Sequence, residues 1–239
     1  MKIFNLIKPL ICGNELVQVD KLTLENEQLS NKIESYMDKE NERLAIETIN
    51  NKYPKSDITW IARNGRKYDV RNFIFAGDTV LKNVLAHNNL KGKTHDESAF
   101  NCFMFILKNI KYKSDLNEDW KYPVDTYYDG YGDCEDFTNL LISLILNCNV
   151  PSHRIKNCCG YAIDNQSNKI GHSYPIYLRE LDNEWIDLDC TFYPESTEIN
   201  KRPLVKNNKK YGEIWFTFNS QFSWSKNISE EILGRVKQK

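Results

Sequence analysis

The most constraining feature of this sequence is an apolar segment that follows residue 133. Its apolar residues recur at intervals of three and four, at positions 137, 140, 141, 144, 145 and 148, and Ile142 and Leu146 add a second apolar face. This spacing predicts a central helix that is buried on most of its sides. Asp133 suits the N-cap position, and Asp136 three residues later completes an acidic variant of the capping box. Cys134 is therefore predicted to lie in the first turn of this helix.

The pattern changes after Pro151, where apolar residues begin to alternate with a period of two. This alternation predicts strands over residues 155–163, 172–178, 184–191 and 213–218. Before the central helix, residues 98–110 predict a second buried helix and residues 112–132 a long structured loop. Helices followed by consecutive strands indicate an α+β domain, in which the central helix packs on an antiparallel sheet.

The N-terminal part of the chain carries a different helical pattern. Residues 20–50 are rich in Glu, Asn and Lys and contain neither Gly nor Pro. Four apolar residues and one Asn fill the core positions of a weak heptad repeat, namely Leu22, Asn26, Leu29, Ile33 and Tyr36. The repeat fails by Glu40. The segment is therefore either a solvated helix that lies on its own domain or a short coiled coil that forms a homo-oligomer or docks on an assembly.

The same patterns set the expected domains and location of the protein. We predict a helical extension over residues 1–50 and a domain over residues 51–239, with its core at about residues 98–193. The 239 residues include 32 basic and 33 acidic side chains, a balance that argues against nucleic-acid binding. The sequence shows no signal peptide and no apolar run long enough for a membrane span. We expect a cytoplasmic or virion-associated protein without nucleic-acid or membrane partners.

The seven cysteines direct attention to one of them. An odd number in a chain of this length favours a reducing compartment over a disulfide framework. Adjacent strand residues face opposite sides, so Cys158 and Cys159 make a poor metal chelate. Cys134 differs because the first turn of a helix lowers the pKa of a thiol, although the acidic residues around it act against this. A nucleophilic Cys134 therefore needs a histidine partner.

Among the four histidines, His172 is the one that begins a predicted strand. A carboxylate should orient its imidazole, and Asp187 and Asp189 share one face of the next predicted strand. If residues 179–182 form a four-residue hairpin loop, His172 lies directly opposite Asp189. A tight turn at residues 182–183 would separate the two side chains.

A calcium-binding loop is an alternative interpretation of residues 125–136. Four acidic residues and a glycine match positions 1, 5, 6, 9 and 12 of such a loop, namely Asp125, Asp129, Gly130, Asp133 and Asp136. Tyr127 at position 3, and Asp in place of the bidentate Glu at position 12, depart from the pattern. We therefore predict neither a metal nor a cofactor.

Several motifs between residues 98 and 193 occur in an informative combination. They are Trp120 to Pro123, Gly132-Asp133-Cys134-Glu135-Asp136, Val150-Pro151, Cys159-Gly160-Tyr161, His172 and Trp185-Ile186-Asp187-Leu188-Asp189. Together they resemble the transglutaminase-like cysteine superfamily. The resemblance implies a papain-like core in which Cys134 is the nucleophile, His172 the base and Asp189 the residue that orients the base.

The resemblance also suggests the surroundings of the reaction. Trp120 resembles an upstream tryptophan of the family, and its indole could stabilise an oxyanion together with the backbone N–H of Cys134. Asp133 and Tyr174 are further candidates for the oxyanion site or the pocket. The family commonly has His-Ala-Trp where this chain has His172-Ser173-Tyr174, so the resemblance implies no particular substrate.

The predicted activity is that of a cysteine-dependent protease or amidase. Such an enzyme hydrolyses an amide bond of a protein or peptide through a thioester acyl-enzyme. Two alternatives stay open. One is acyl transfer to an amine, as in a transglutaminase. The other is a non-catalytic structural or binding module, such as a bacteriophage virion component that retains the fold.

Overall fold

A computed structural model describes residues 13–52, 57–115, 119–164, 166–192, 198–226 and 229 of the chain. Within these ranges the chain divides into two units, with the boundary between Ala45 and Ile46. None of the helices in these ranges has both the length and the hydropathy that a membrane span requires.

One long helix occupies the described part of the first unit and continues past Ala45 into the second. Helix α1 (Gly13–Lys52) has 40 residues, so the helix predicted over residues 20–50 is confirmed. Most of its described apolar side chains are exposed, namely Val17, Leu22, Leu24, Leu29, Ile33, Tyr36, Met37 and Leu44.

The second unit contains the remaining helices and strands in mixed order. Its helices are α2 (Thr79–Asn88), α3 (His95–Asn109), α4 (Pro123–Asp129) and α5 (Cys134–Asn147). Its short strands are β1 (Thr59–Ile61), β2 (Lys67–Asp69), β3 (Lys111–Tyr112) and β4 (Tyr131–Gly132). The strands of its largest sheet are β5 (Ile155–Ile163), β6 (Lys169–Leu178), β7 (Trp185–Asp187), β8 (Tyr211–Phe218) and β9 (Ser223–Ser225).

A central helix packed on an antiparallel sheet forms the core of this unit. The five strands are arranged in the order β7-β6-β5-β8-β9, and every neighbouring pair is antiparallel. Helix α5 lies against β5 and β6 on one side and against α2, α3 and α4 on others. All its residues from Glu135 to Asn147 are buried. The predicted α+β fold is therefore confirmed.

Buried polar contacts tie helix α5 to the sheet. The Thr138 hydroxyl donates to the carbonyl oxygen of Ser173 at 3.1 Å. The Asn157 amide on β5 donates to Asn139 at 3.0 Å and accepts from the Ser173 hydroxyl at 2.9 Å. Because these contacts need particular atoms opposite one another, they fix the helix at one position along the strands.

The hairpin between β6 and β7 differs from the predicted one. Its loop has six residues, and the backbone N–H of Arg179 donates to the carbonyl oxygen of Glu184 at 3.1 Å. The Arg179 guanidinium holds Asp182 across this loop. Ile176 consequently pairs with Asp187, which shifts the register by two residues from the predicted one. The prediction that His172 lies directly opposite Asp189 is wrong.

Residues 112–132 contain more regular structure than the sequence predicts. Helix α4 occupies Pro123–Asp129, and β3 pairs with β4 in parallel. The helix has only seven residues, and a proline in its first turn favours helix initiation because its backbone angle φ is already fixed near the helical value. A helix this short leaves no recognisable 3.6-residue pattern, so the predicted loop is wrong over its second half.

The buried ion pair between Arg202 and Asp187 gives a test of this fold. The two side chains are 2.6 Å apart and fully buried. We expect Arg202→Leu to lower the free energy of unfolding by about 3–5 kcal/mol at pH 7.5, because it leaves a buried carboxylate unpaired. Burial raises the pKa of Asp187 to about 6 even with Arg202 present. The loss should therefore shrink at pH 5, where this carboxylate takes up a proton.

Urea denaturation of both proteins at the two pH values measures this effect. Lys201→Leu is the matched control, because the Lys201 side chain is 67% exposed and should change stability by at most about 0.5 kcal/mol. Equal losses for the two variants would contradict the argument.

Candidate active site

Cys134 is the first residue of helix α5 and is partly exposed. Asp133 occupies the N-cap position, as predicted, but its side chain makes no capping hydrogen bond. Asp136 accepts the backbone N–H of Lys121 at 2.8 Å, so the predicted capping box is wrong. Gly132 permits this turn, because a Cβ atom there would lie 2.5 Å from the Cβ of Asp136.

Two neighbours contact the Cys134 thiol. The thiol donates to Oε2 of Glu135 at 3.2 Å, and the backbone N–H of Ser173 lies close enough to lower its pKa. Burial and the charges of Glu135 and Asp133 outweigh that contribution and raise the pKa of Cys134 well above its usual value. The resting thiol is therefore protonated at neutral pH and would need a base to become a nucleophile.

His172 and Asp189 form a buried pair. The imidazole Nε2 lies 2.7 Å from Oδ2 of Asp189, and the two side chains are 2% and 1% exposed. This contact crosses diagonally between the strands, because Asp189 follows β7 on the same face as His172, two positions out of direct register. The pairing leaves the other ring nitrogen, Nδ1, for a second partner.

Hydrogen-bond donors keep Asp189 ionised. Its Oδ1 accepts the backbone N–H and the hydroxyl of Thr191, both at 2.7 Å, and the backbone N–H of Phe192 at 3.1 Å. Burial acts to raise the pKa of Asp189, but His172 and these donors bring it down to about 2. Asp189 is thus a permanent negative charge beside the imidazole at neutral pH.

Asp187, the other carboxylate that the sequence offers, has different partners. Its Oδ1 lies 2.6 Å from Arg202, and its Oδ2 accepts from the Asn208 amide at 3.2 Å. The geometry therefore pairs His172 with Asp189 and assigns Asp187 to a structural ion pair.

The thiol of Cys134 approaches β6 next to His172. The thiol meets the backbone N–H of Ser173, and His172 is the preceding residue. Among the hydrogen bonds of the described residues, none joins the Cys134 sulfur directly to the imidazole. Catalytic hydrogen bonds are often long or misaligned without substrate, so this geometry is compatible with a Cys–His pair that forms on binding.

An aromatic wall surrounds His172. The Tyr174 ring stacks on Tyr211 at 3.9 Å between ring centroids, and the rings of Tyr174 and Phe192 lie 5.8 and 4.6 Å from His172. Tyr174, predicted as a pocket residue, is thus 1% exposed and forms part of this wall.

Tyr211 is a site residue that the sequence analysis misses. Its hydroxyl donates to Oδ2 of Asp189 at 2.8 Å, the same oxygen that His172 contacts. Tyr211 lies on β8, next to β5 in the sheet, and its ring stacks on Tyr174 of β6. No local pattern of the sequence indicates this contact between distant strands.

Trp120 lies in an aromatic cluster of the core. Its ring is 3% exposed and stacks on Trp60 at 5.4 Å and on Phe218 at 5.7 Å. None of the hydrogen bonds of the described residues connects its indole to Cys134. Its role as an oxyanion donor stays a prediction.

Three carboxylates beside Cys134 form a group that could hold a metal ion. Ligand atoms of Asp133, Glu135 and Asp136 all lie within 4.8 Å of one another. Each residue has a buried oxygen without a hydrogen-bond partner in the described part of the chain. Burial and the charge of Asp133 raise the pKa of Asp136 to about 7, although Lys121 and Arg63 approach it to 4.0 Å.

This carboxylate group differs from the calcium loop considered for residues 125–136. Asp125 is exposed on helix α4, and Asp129 pairs with Lys121 at 2.9 Å, so neither belongs to the group. Glu135, which that alternative does not use, completes it. Oxygen ligands of this kind suit hard cations such as Ca²⁺ and Mg²⁺. The expected absence of a metal therefore stays a prediction.

Comparison with known proteins assigns the fold of this site to a family. Residues 84–190, a range that includes Cys134, His172 and Asp189, match the transglutaminase-like superfamily. The match covers a little less than half of the chain, and it agrees with the resemblance that the motifs of the sequence suggest. No curated protein matches the chain.

Solved structures with a similar arrangement include LapG of Legionella pneumophila. It is 22% identical with a TM-score of 0.49, and the match covers 66% of this chain and 82% of that chain. Calcium-bound LapG of the same organism is 23% identical with a TM-score of 0.48, and the match covers 62% of this chain and 77% of that chain. A candidate cysteine protease from Cytophaga hutchinsonii is 18% identical with a TM-score of 0.37, and the match covers 64% of this chain and 52% of that chain.

The carboxylate group gives a test by ligand addition and removal. The predicted absence of a metal requires that Ca²⁺ leave the Tm unchanged. A cation held by the group would instead raise the Tm by about 5 °C or more at saturation, and EGTA would reverse the rise, because a cation relieves the repulsion between buried carboxylates. Asp133→Asn should reduce the shift. Asp125→Asn, which removes an exposed carboxylate outside the group, is the matched control in differential scanning fluorimetry. An equal shift in both variants would place the cation elsewhere.

Proposed function

We propose that this chain is a cysteine protease or amidase in which Cys134, His172 and Asp189 act as a catalytic triad. The observation that carries the proposal is the buried pair between His172 Nε2 and Asp189 Oδ2 at 2.7 Å, one residue from the point where Ser173 meets the Cys134 thiol. A helix start that presents a thiol beside a carboxylate-oriented imidazole supports nucleophilic catalysis on a carbonyl group.

The acylation step uses His172 first as a base and then as an acid. The imidazole Nδ1 takes the proton of the Cys134 thiol while the sulfur forms a bond to the carbonyl carbon of the substrate. The backbone N–H of Cys134, free at the helix start, is placed to stabilise the resulting oxyanion. The protonated imidazole then gives its proton to the departing nitrogen, the C–N bond breaks, and a thioester and a free amine result.

The deacylation step repeats the sequence with water. His172 accepts a proton from water, the oxygen forms a bond to the thioester carbon, and the C–S bond breaks to release a carboxylic acid. The proton returns to Cys134. Asp189 stays ionised throughout and stabilises the imidazolium that forms in each step.

Hydrolysis and acyl transfer differ only in the molecule that resolves the thioester. Transfer to an amine requires a site that keeps water out and admits the amine. Cys134 is partly exposed, so water has access to the thioester. We therefore propose hydrolysis and keep transfer to a primary amine as the competing outcome.

The triad can be tested with unfolded, fluorescently labelled casein in the presence of a dansylated primary amine. We expect the native chain to release fragments, and Cys134→Ala and Asp189→Asn to lower the rate by about 10³-fold or more. Cys102→Ala, which removes a buried thiol of helix α3, is the matched control and should keep the native rate.

Each of the other outcomes selects a different function. Amine incorporation without fragments would support acyl transfer. Neither product, together with alkylation of Cys134 by iodoacetamide no faster than that of an unfolded thiol, would favour the non-catalytic module. Equal rates in native chain and Cys134→Ala would reject the triad.

Tyr211 should act on the reaction through Asp189. Tyr211→Phe keeps the ring that stacks on Tyr174 and removes one donor to the carboxylate, so the pKa of Asp189 should rise from about 2. We expect kcat for casein cleavage to fall about tenfold with little change in KM, and the acid limb of the pH–rate profile to move to higher pH. Tyr161→Phe, whose ring packs on Trp215, is the matched control. An unchanged pH profile in Tyr211→Phe would leave Tyr211 with a packing role alone.

A further inference from the structure

Helix α1 presents a stripe of apolar side chains that its own unit does not cover. Leu22, Leu29, Ile33 and Tyr36 are between 52% and 61% exposed. Removing apolar side chains of this size from water stabilises an association. A surface that fits the stripe would therefore form a more stable complex by covering these side chains.

The spacing of the stripe selects the shape of its partner. Starting at Val19, the stripe advances by three, four, three, four and three residues to Tyr36. This alternation has a mean period near 3.5 residues and produces a narrow seam along the helix. A helix that lies on a globular surface normally offers a wider apolar face with a period of 3.6 residues. The seam therefore fits a second helix.

Asn26 indicates that the partner helix belongs to a second copy of this chain. It occupies a core position of the seam, and its side chain is exposed. In an apolar groove the Asn26 amide would lose its hydrogen bonds with water without replacement. If Asn26 lies opposite the Asn26 of an identical chain, the two side-chain amides can donate to and accept from each other. A polar residue at such a core position sets the register and the oligomeric state of a coiled coil. An antiparallel pair would place Asn26 beside Leu29 and lose this match.

We propose that residues 19–36 form a parallel, in-register, two-stranded coiled coil with a second copy of this chain. The residues that flank the seam are compatible with this pairing. In a parallel pair Glu25 faces Ser30 and Lys32 faces Met37 of the other helix, so no like charges meet. The interaction is independent of the proposed triad.

The seam ends where charged residues enter it. Glu40 and Arg43 take the next two core positions, and their side chains pair with each other at 2.7 Å within the same helix. The 18 residues of the seam span about 27 Å. A coiled coil of this length is short, so the dimer should dissociate on dilution.

Sedimentation of the full chain at about 1–200 µM tests the proposal. We expect twice the 28.1 kDa of the monomer at high concentration. Leu29→Glu should weaken the dimer at least a hundredfold, because it places a charge in the seam. Leu24→Glu is the matched control, since Leu24 is 55% exposed but lies outside the seam. Asn26→Leu should give a mixture of oligomers, because the polar residue that sets the register is gone.

Crosslinking tests the parallel arrangement. In a Cys12→Ser background, Val19→Cys should form a disulfide-linked dimer under mild oxidation, because the two copies of residue 19 face each other. Leu24→Cys should not. A monomer at every concentration would overturn the proposal, as would a dimer that Leu29→Glu leaves intact. A dimer without the Val19→Cys crosslink would overturn the parallel register.

Discussion

The candidate site depends on how helix α5 is seated on the sheet. Apolar packing is not directional, so it would hold a helix with this much apolar surface at several positions along the strands. The contacts of Thr138 and Asn139 with Ser173 and Asn157 allow one position, because a shift of one residue would leave buried polar groups unpaired. Cys134 begins this helix and His172 precedes Ser173, so the same contacts set the distance between Cys134 and His172, the proposed nucleophile and base.

The sequence predicts what strong local periodicity encodes. Helix α5 and strand β5 are found within a residue of their predicted ends, because apolar spacing alone specifies which faces are buried. The chemistry of Cys134 and His172 follows from their places at the start of a helix and in a strand.

Long-range structure is where sequence reasoning stops. The β6–β7 register depends on a hydrogen bond between the side chains of Arg179 and Asp182, which the apolar pattern of the sequence does not predict. Tyr211 reaches Asp189 only because β8 lies beside β5 in the sheet. This strand order cannot be predicted from local sequence patterns. The pairing of His172 with Asp189 was expected, but for a register that proved wrong. It survives because a shift of two residues keeps a side chain on the same face and within diagonal reach.

The carboxylates of the site have their pKa values shifted in opposite directions, because their surroundings differ. Asp189 is fully buried, but the charge and hydrogen bond of His172 and the hydrogen bonds from Thr191 bring its pKa down to about 2. Asp136 is buried to a similar degree beside other carboxylates, and its pKa rises to about 7. At neutral pH Asp189 therefore places a full negative charge beside the imidazole of His172. This separation of pKa values supports the proposed roles, in which Asp189 stabilises an imidazolium and the thiolate forms only by proton transfer to His172.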